Sequence, residues 1–424
     1  MTPRRFLLAS LLLGALANTP SADACGGCFH PPETVQVVTD HRMVFMLSRT
    51  RTVLWDQFRY SGRPSEFSWI LPIRSGVGAS VEVADNVFLT AMDDVAAPIV
   101  NPAPSPFRCS GSGGGGIGCG ASADTAGGLA FEPDGGVNVY NEQVVGPYNV
   151  ATVGSTDPMA LRTWLQSNGY TVPAATVPVI DYYVALHMDF VAVRLRASAD
   201  VAQMRPLRVI TPGYNPQLPL RMVSAGVADA VGIVLTVIAD ARVEAMNFPN
   251  GELSNGDLAY DYDNPTNTTE DFLAAFNRVN QRNNNRVWLT ESAQTLNRAA
   301  VEAAIQQRCS PFGGGVMAPG CRQDMPASPS DVEVAFAPFG DTAYVTRMRA
   351  NLGPAGLDRD LQLASSDRGS RARTYDYGTL RHDPCTTPSS NFEGCSTGRR
   401  APGGLYVSGL GALGLVVAAR VRRR

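Results

Sequence analysis

The opening residues constrain what the rest of the chain can become. Arg4 and Arg5 precede an apolar stretch, Phe6–Ala17, and Ala22-Asp23-Ala24 then gives the small-x-small pattern a signal peptidase needs before Cys25. Residues 1–24 therefore read as a cleaved export signal; the apolar stretch is too short to anchor the chain across a bilayer. Export places the remainder in an oxidising compartment, where cysteines pair. A cysteine at the first mature position also invites a lipid. Against that, Asp23 stands where a lipoprotein signal has a small residue and Ala22 where it prefers Leu.

The other end has a complementary design. Gly403 to Ala419 carries no charge, and Arg420, Arg422, Arg423 and Arg424 follow it. As a helix this stretch is about 26 Å long, slightly short of a ~30 Å hydrocarbon core. Its glycines disfavour a soluble helix but are common in membrane helices, and the arginine cluster should stay cytoplasmic. Everything from Cys25 to about Pro402 then lies outside the inner membrane. The expectation is a protein on the periplasmic side of that membrane or at the cell surface, with the membrane as partner through this helix. Residues 395–424 also resemble the tripartite, MYXO-CTERM-like sorting tags of Gram-negative bacteria, with Cys395 where one such class carries its cysteine. The resemblance implies an envelope protein partner or a sorting protease that acts at this end.

Eight cysteines fall into four close couples: Cys25/Cys28, Cys109/Cys119, Cys309/Cys321 and Cys385/Cys395. Eight cysteines allow 105 connectivities, but this clustering favours nearest-neighbour pairing. Loops of roughly ten residues are each worth about 2–3 kcal/mol in the chain-entropy model. Cys25-Gly-Gly-Cys28 also admits a redox dithiol or half of a zinc site, or a free or lipidated Cys25. No second CxxC completes a zinc ribbon.

Composition removes several functions. All 35 basic residues are Arg, so no lysine Schiff base, phosphate-loop lysine or Ser-Lys dyad can exist. A net charge of −3 gives no polyanion-binding signature, and no nucleic-acid partner is expected. At 424 residues and 44% apolar, the chain is long enough for two or three packed units.

The patterning predicts an α+β fold, mostly antiparallel sheet with several short helices, plus the one C-terminal transmembrane helix. Residues 25–249 form a β-rich part, 250–364 a helix-richer part, 365–402 a polar tether, and 403–424 the membrane helix with its arginine cluster. In the first part, Thr34–Asp40, Met43–Ser48, Thr52–Tyr60 and Phe67–Ile73 are short β-branched and aromatic runs broken by turn residues. Val87, Phe88 and Met92 suggest a short helix, and residues 98–136 are a Gly/Pro-rich loop. Asp157-Pro158 opens a helix with Leu161, Trp164 and Leu165 as its buried stripe and Gly169 as its stop. A second helix is expected over 178–187. Further strands are predicted at Phe190–Arg196, Leu207–Thr211, Leu218–Val223, Val231–Ala239 and Arg242–Phe248; Val231–Ile238 is apolar on both faces and so central. In the second part, Thr269–Val279 and Ser292–Gln307 read as helices, Val332–Phe336 and Ala343–Arg349 as strands.

Four stretches resemble the bacterial DUF2330 family of exported domains. They are Cys25-Gly-Gly-Cys28-Phe29, Tyr60-Ser-Gly62 with Phe67-Ser-Trp69 and Pro72, Trp164-Leu-Gln-Ser-Asn-Gly-Tyr170, and Tyr344-Val-Thr-Arg347-Met-Arg349. The resemblance spans roughly residues 25–365 and implies no established activity, cofactor or catalytic residue. Cys28 stands where the family leads one to expect Phe.

Catalytic constellations are scarce. The histidines are His30, His41, His187 and His382, none in an HExxH pattern, and no GxSxG elbow occurs. His187 reads as a core or boundary residue, Asp181 and Asp189 as cap and turn residues. Asp257, Asp261 and Asp263 form the densest acidic group. They are weak calcium candidates, because Pro265 and Thr266 break the EF-hand spacing. Trp69, Trp164 and Trp288 sit in apolar runs and are assigned to the core. No cofactor is expected and no catalytic residue is named. The leading expectation is a structural or partner-binding ectodomain, the alternative an exported enzyme such as a metal-dependent hydrolase. Non-reducing peptide mapping should link Cys109 to Cys119, Cys309 to Cys321 and Cys385 to Cys395; a crossed peptide such as 119–309 would overturn this pairing.

Overall fold

The computed structural model describes residues 28–29, 40–57, 63, 65, 67–103, 136–224, 230–310, 321 and 330–382. Residues 1–24 (expected to be an export signal), Cys25, Cys109, Cys119, Cys385, Cys395, most of the 98–136 loop and Gly403–Arg424 lie outside these residues. Among the described residues no helix is long and apolar enough to cross a membrane.

The chain begins with β1 (Cys28–Phe29), β2 (Asp40–Leu47), β3 (Arg51–Gln57), β4 (Ser68–Ile73) and β5 (Ser80–Val83), then α1 (Asn86–Ala96) and β6 (Ile99–Val100). A hairpin follows, β7 (Asn138–Val145) and β8 (Tyr148–Gly154), then α2 (Pro158–Ser167), α3 (Val177–Ala185) and β9 (Asp189–Leu195). Next come β10 (Leu207–Pro212), β11 (Gln217–Leu218), α4 (Leu220–Ser224), β12 (Val231–Ala239), β13 (Val243–Ala245), β14 (Asn250–Glu252) and β15 (Ala259–Asp261). The last third holds α5 (Thr268–Arg282), β16 (Trp288–Asn297), α6 (Arg298–Cys309), α7 (Asp331–Phe336) and β17 (Thr342–Leu352). It closes with β18 (Leu361–Ser365), β19 (Thr374–Tyr375) and β20 (Thr379–Arg381).

Two sheets dominate. One has five strands, ordered β1-β4-β9-β8-β7; the other has eight, ordered β14-β16-β17-β12-β2-β3-β10-β5. Most pairings are antiparallel, while β12 runs parallel to β2 and β14 parallel to β16. The α+β, mostly antiparallel expectation is met. One continuous core, including Phe45, Trp69, Tyr148, Val193, Leu235, Trp288 and Met348, draws side chains from both sheets and lies between them. The outer face of the five-stranded sheet is covered by α2 and α3 through Leu161, Trp164, Ile180 and Tyr183. The outer face of the long sheet is covered by α1, α6 and α7 through Phe88, Met92, Val301 and Phe336. A smaller cluster of α5, Val287, Leu289 and Tyr375 covers its far end. The result is four layers: helices, sheet, sheet, helices.

Local chemistry explains several elements. Asp157 caps α2 by accepting the Met159 backbone N–H at 2.8 Å. Gly169, at φ +75°, ends it in a Schellman turn, with Tyr170 N–H on the Leu165 carbonyl and Gly169 N–H on that of Gln166. Tyr170 then stacks on Trp164 at 5.9 Å, and Thr171 N–H bonds the buried Ser68 hydroxyl at 2.9 Å. Two of the family-like motifs thus meet at one packing point.

Several expectations need correction. Leu218–Val223 is only briefly extended and then helical, as β11 and α4. Ser292–Gln307 splits into the end of β16 and α6, because Asn297 caps a helix that begins only at Arg298. Val332–Phe336 is α7, capped by the Ser330 hydroxyl on Glu333 N–H. His187 is exposed at the C-terminus of α3 with φ 56°. The polar stretch from 365 does not leave the domain at once. Tyr375 is fully buried, β19 and β20 pair with β6 and β15, and Gly378 lies so close to Asn255 that a Cβ would meet its carbonyl oxygen. Strands from either side of residue 250 also share the long sheet.

A polar knot fastens the helical layer to this sheet. Asp331, at the start of α7, accepts from Trp55 Nε1 at 2.8 Å, from Arg208 Nη1 at 2.7 Å and from the Asp85 backbone N–H at 2.7 Å. Asp331→Ala strands three buried donors, Arg208 among them, and should cost roughly 3–5 kcal/mol. Urea denaturation should show that loss as a lowered midpoint at unchanged slope.

Candidate functional site

The helix-side face of the long sheet carries a row of arginines where hydrophobic residues would be the default. Cross-strand register puts Arg349, Val234, Arg42 and Gln57 on neighbouring strands of one row, and Arg347, Thr236, Val44 and Trp55 on the next. Arg347 and Arg349 are two apart on β17 and so point to the same face. Both belong to the Tyr344–Arg349 motif.

Glu291 organises them. It is the extra residue of a β-bulge between Thr290 and Ser292 on β16, the kind of irregularity that re-aims a side chain. Its side chain is 0% exposed, and its two oxygens accept separately, from Arg347 Nε at 2.6 Å and from Arg349 Nε at 2.5 Å. Asp93 of α1 closes the row: one oxygen takes Arg347 Nη1, the other Arg42 Nη1 at 2.8 Å. Arg42 further donates to Gln57 Oε1 at 2.8 Å and to Asn86 Oδ1 at 3.0 Å. Burial would lower the Arg347 pKa, but the charges of Glu291 and Asp93 outweigh it and hold the group above its ordinary value. Arginine keeps its proton throughout the accessible pH range. The row therefore gathers permanent positive charge around two carboxylates.

The residues singled out in the sequence fare differently. Cys309 and Cys321 are disulfide-bonded, with Cα atoms 5.5 Å apart. Asp257 is a local cap, accepting the Ser254 backbone N–H and hydroxyl at 2.8 and 2.7 Å. Asp261 and Asp263 meet His382 instead, and one ligand atom from each lies within 4.8 Å of the others. His382 Nδ1 is 2.8 Å from Asp261 and 3.3 Å from Asp263, at the surface. Asp181 pairs with Arg162 at 3.0 Å, and the buried Asp189 accepts the Gly76 backbone N–H at 2.8 Å. His41 was not singled out, yet its Nδ1 is 3.2 Å from Asp56 and its buried Nε2 has no hydrogen-bond partner. Glu291 and Asp93 were also missed. A lone carboxylate inside the apolar run Val287–Ala293 was the available signal, since such a group must find buried partners.

The surface pair yields a pH expectation. The Asp261 hydrogen bond, then the charges of Asp263 and Asp261, raise the His382 pKa above 6.5, while the His382 hydrogen bond and the Asp263 N–H lower that of Asp261. The histidine's contribution is complete below the unfolded pKa of ~6.5 and is lost as pH rises through its folded pKa; the Asp261 contribution is present above ~3.9 and is lost as pH falls through its lowered pKa. NMR titration should therefore find His382 half-protonated above pH 6.5, and Asp261→Asn should bring that midpoint down.

Comparison with known proteins bears on the whole arrangement. A family model described as an uncharacterized protein conserved in bacteria, DUF2330, matches residues 19–364 and so takes in both sheets and the arginine row. No curated protein and no solved structure matches the chain. By the extent of that match, most of its length, the chain belongs to the DUF2330 family.

Proposed function

We propose that this chain is an exported envelope protein whose layered domain serves as a structural or partner-binding ectodomain, with residues 403–424 as its membrane or sorting element. The observation that carries the reading is the Cys309–Cys321 disulfide, because such bonds persist in the compartments beyond the inner membrane. The signal-like residues 1–24 and the apolar, arginine-ended tail support the same placement. Binding is supported by the arginine row, whose permanent charges are fixed in position by Glu291 and Asp93 and suit recognition. Partners would be an envelope protein or, at the tail, a sorting protease. The alternative, an exported hydrolase, has the His41–Asp56 pair as its best geometry. That pair is buried, with side-chain exposures of 0% and 3%, so a substrate has no route to it in this conformation.

Fractionation tests the reading. The full chain should sediment with membranes at high salt, and deletion of Gly403–Arg424 should release a soluble, folded ectodomain. If the deletion still sediments and Cys25→Ser does not, a lipid on Cys25 is the anchor. If the full chain stays in the cytoplasm, the proposal fails.

A further inference from the structure

We infer that Arg347 and Arg349 form a binding site for a small oxyanion, a phosphate or carboxylate group. The inference rests on the binding part of the reading above and is independent of where the protein resides.

Charge is the first argument. Arg42, Arg347 and Arg349 bring three positive charges to a cluster that holds two carboxylates, Asp93 and Glu291. Elsewhere on the same sheet face the balance runs the other way: Arg208 meets both Glu82 and Asp331. An excess cation is expensive at a site where the Arg347 side chain is only 6% exposed. Glu291 is already matched by Arg347. The second guanidinium satisfies the other buried oxygen of Glu291, but it brings a positive charge that this carboxylate cannot also neutralise.

Geometry is the second. The Nε atoms of both arginines sit on the two oxygens of one carboxylate, which forces the guanidinium groups side by side. Arg347 Nη1 is taken by Asp93, whereas Arg347 Nη2 and both Nη atoms of Arg349 have no hydrogen-bond partner among the described residues. A buried arginine with an idle amino group beside a second, half-open fork presents several donors to one small acceptor. Guanidinium forks match planar and tetrahedral oxyanions in bidentate fashion. The side chains of Arg349, Arg42 and Asp93 are 21–25% exposed, so the row is recessed but open to a small group.

The test uses the full chain purified in detergent and titrated with sodium phosphate, or with acetate, against sodium chloride at matched ionic strength. Calorimetry and thermal unfolding should report saturable binding and stabilisation by phosphate, acetate or both. Arg349→Gln should weaken that binding about tenfold or more. Arg359→Gln, which removes an exposed charge paired with Asp358, should titrate like the parent. If Arg349→Gln does not fold, Arg349→Lys decides: it keeps the charge and loses the fork, and should still bind more weakly. Equal affinity in the parent and the Arg349 variant overturns the site, as does the absence of saturable binding by either ion. Flotation with phosphatidylglycerol vesicles separates the sources: flotation that depends on Arg349 assigns the oxyanion to a lipid headgroup, and flotation unchanged in the variant, with no response to free phosphate, overturns the proposal. A negative titration leaves the export reading standing, and a failed fractionation leaves the site standing.

Discussion

The architecture depends on the burial of β12. Its side chains face apolar layers on both sides, with Val231, Ile233, Leu235 and Val237 in the inter-sheet core and Ile238 under the helices. Each such side chain is worth about 1.5–3 kcal/mol when fully buried. Because β12 pairs in parallel with β2 and antiparallel with β17, it joins the first strand of the long sheet to its last long strand. Parallel pairing with β2 needs a long crossover, and four of the five strands of the other sheet (β4, β7, β8 and β9), with α2 and α3, are made within it. The two sheets are therefore built in an interlocked order and share one core.

That burial has a consequence for charge. A sheet covered on both faces has little tolerance for polar side chains unless they are paired, yet its helix-side face holds Arg208, Arg347, Glu291 and, close by, Asp331. Each is tied into a network that crosses elements: Asp331 joins α7 to β3 and β10, and Glu291 joins β16 to β17. Such networks stabilise weakly in total but penalise any rearrangement heavily, since breaking one partner strands another. They make the face rigid. The row of permanent cations is thereby fixed in place, with α1 supplying Asp93 to it.

Much of this was legible beforehand. The capped helix at Asp157-Pro158, its stripe of Leu161, Trp164 and Leu165, and its stop at Gly169 all follow from local rules, because caps and turns involve residues close in sequence. The strands around Phe190–Leu195, Leu207–Pro212 and Val231–Ala239 were readable from alternation or continuous apolarity. The errors share a cause. Leu220–Ser224 and Asp331–Phe336 are short apolar segments whose periodicity cannot separate strand from helix, and only their seating against α3 and α6 decides. Ser292–Leu296 reads as the start of the Ala-rich helix expected over Ser292–Gln307, but pairing with β17 extends it.

The sequence alone determined the α+β class, most strands of the core and the family-like motifs, because each is written in neighbouring residues or in a short period. It could not assign the arginines of the Tyr344–Arg349 motif a role. Their meaning comes from Glu291, some fifty residues earlier and aimed by a bulge, and from Asp93 on a helix far upstream in the chain. Charges that meet only across strands leave no periodic trace. The tertiary structure decided which of them are neutralised and which guanidinium nitrogens remain free, and it did so through register, since a slip of one residue on β17 would turn both arginines into the opposite core.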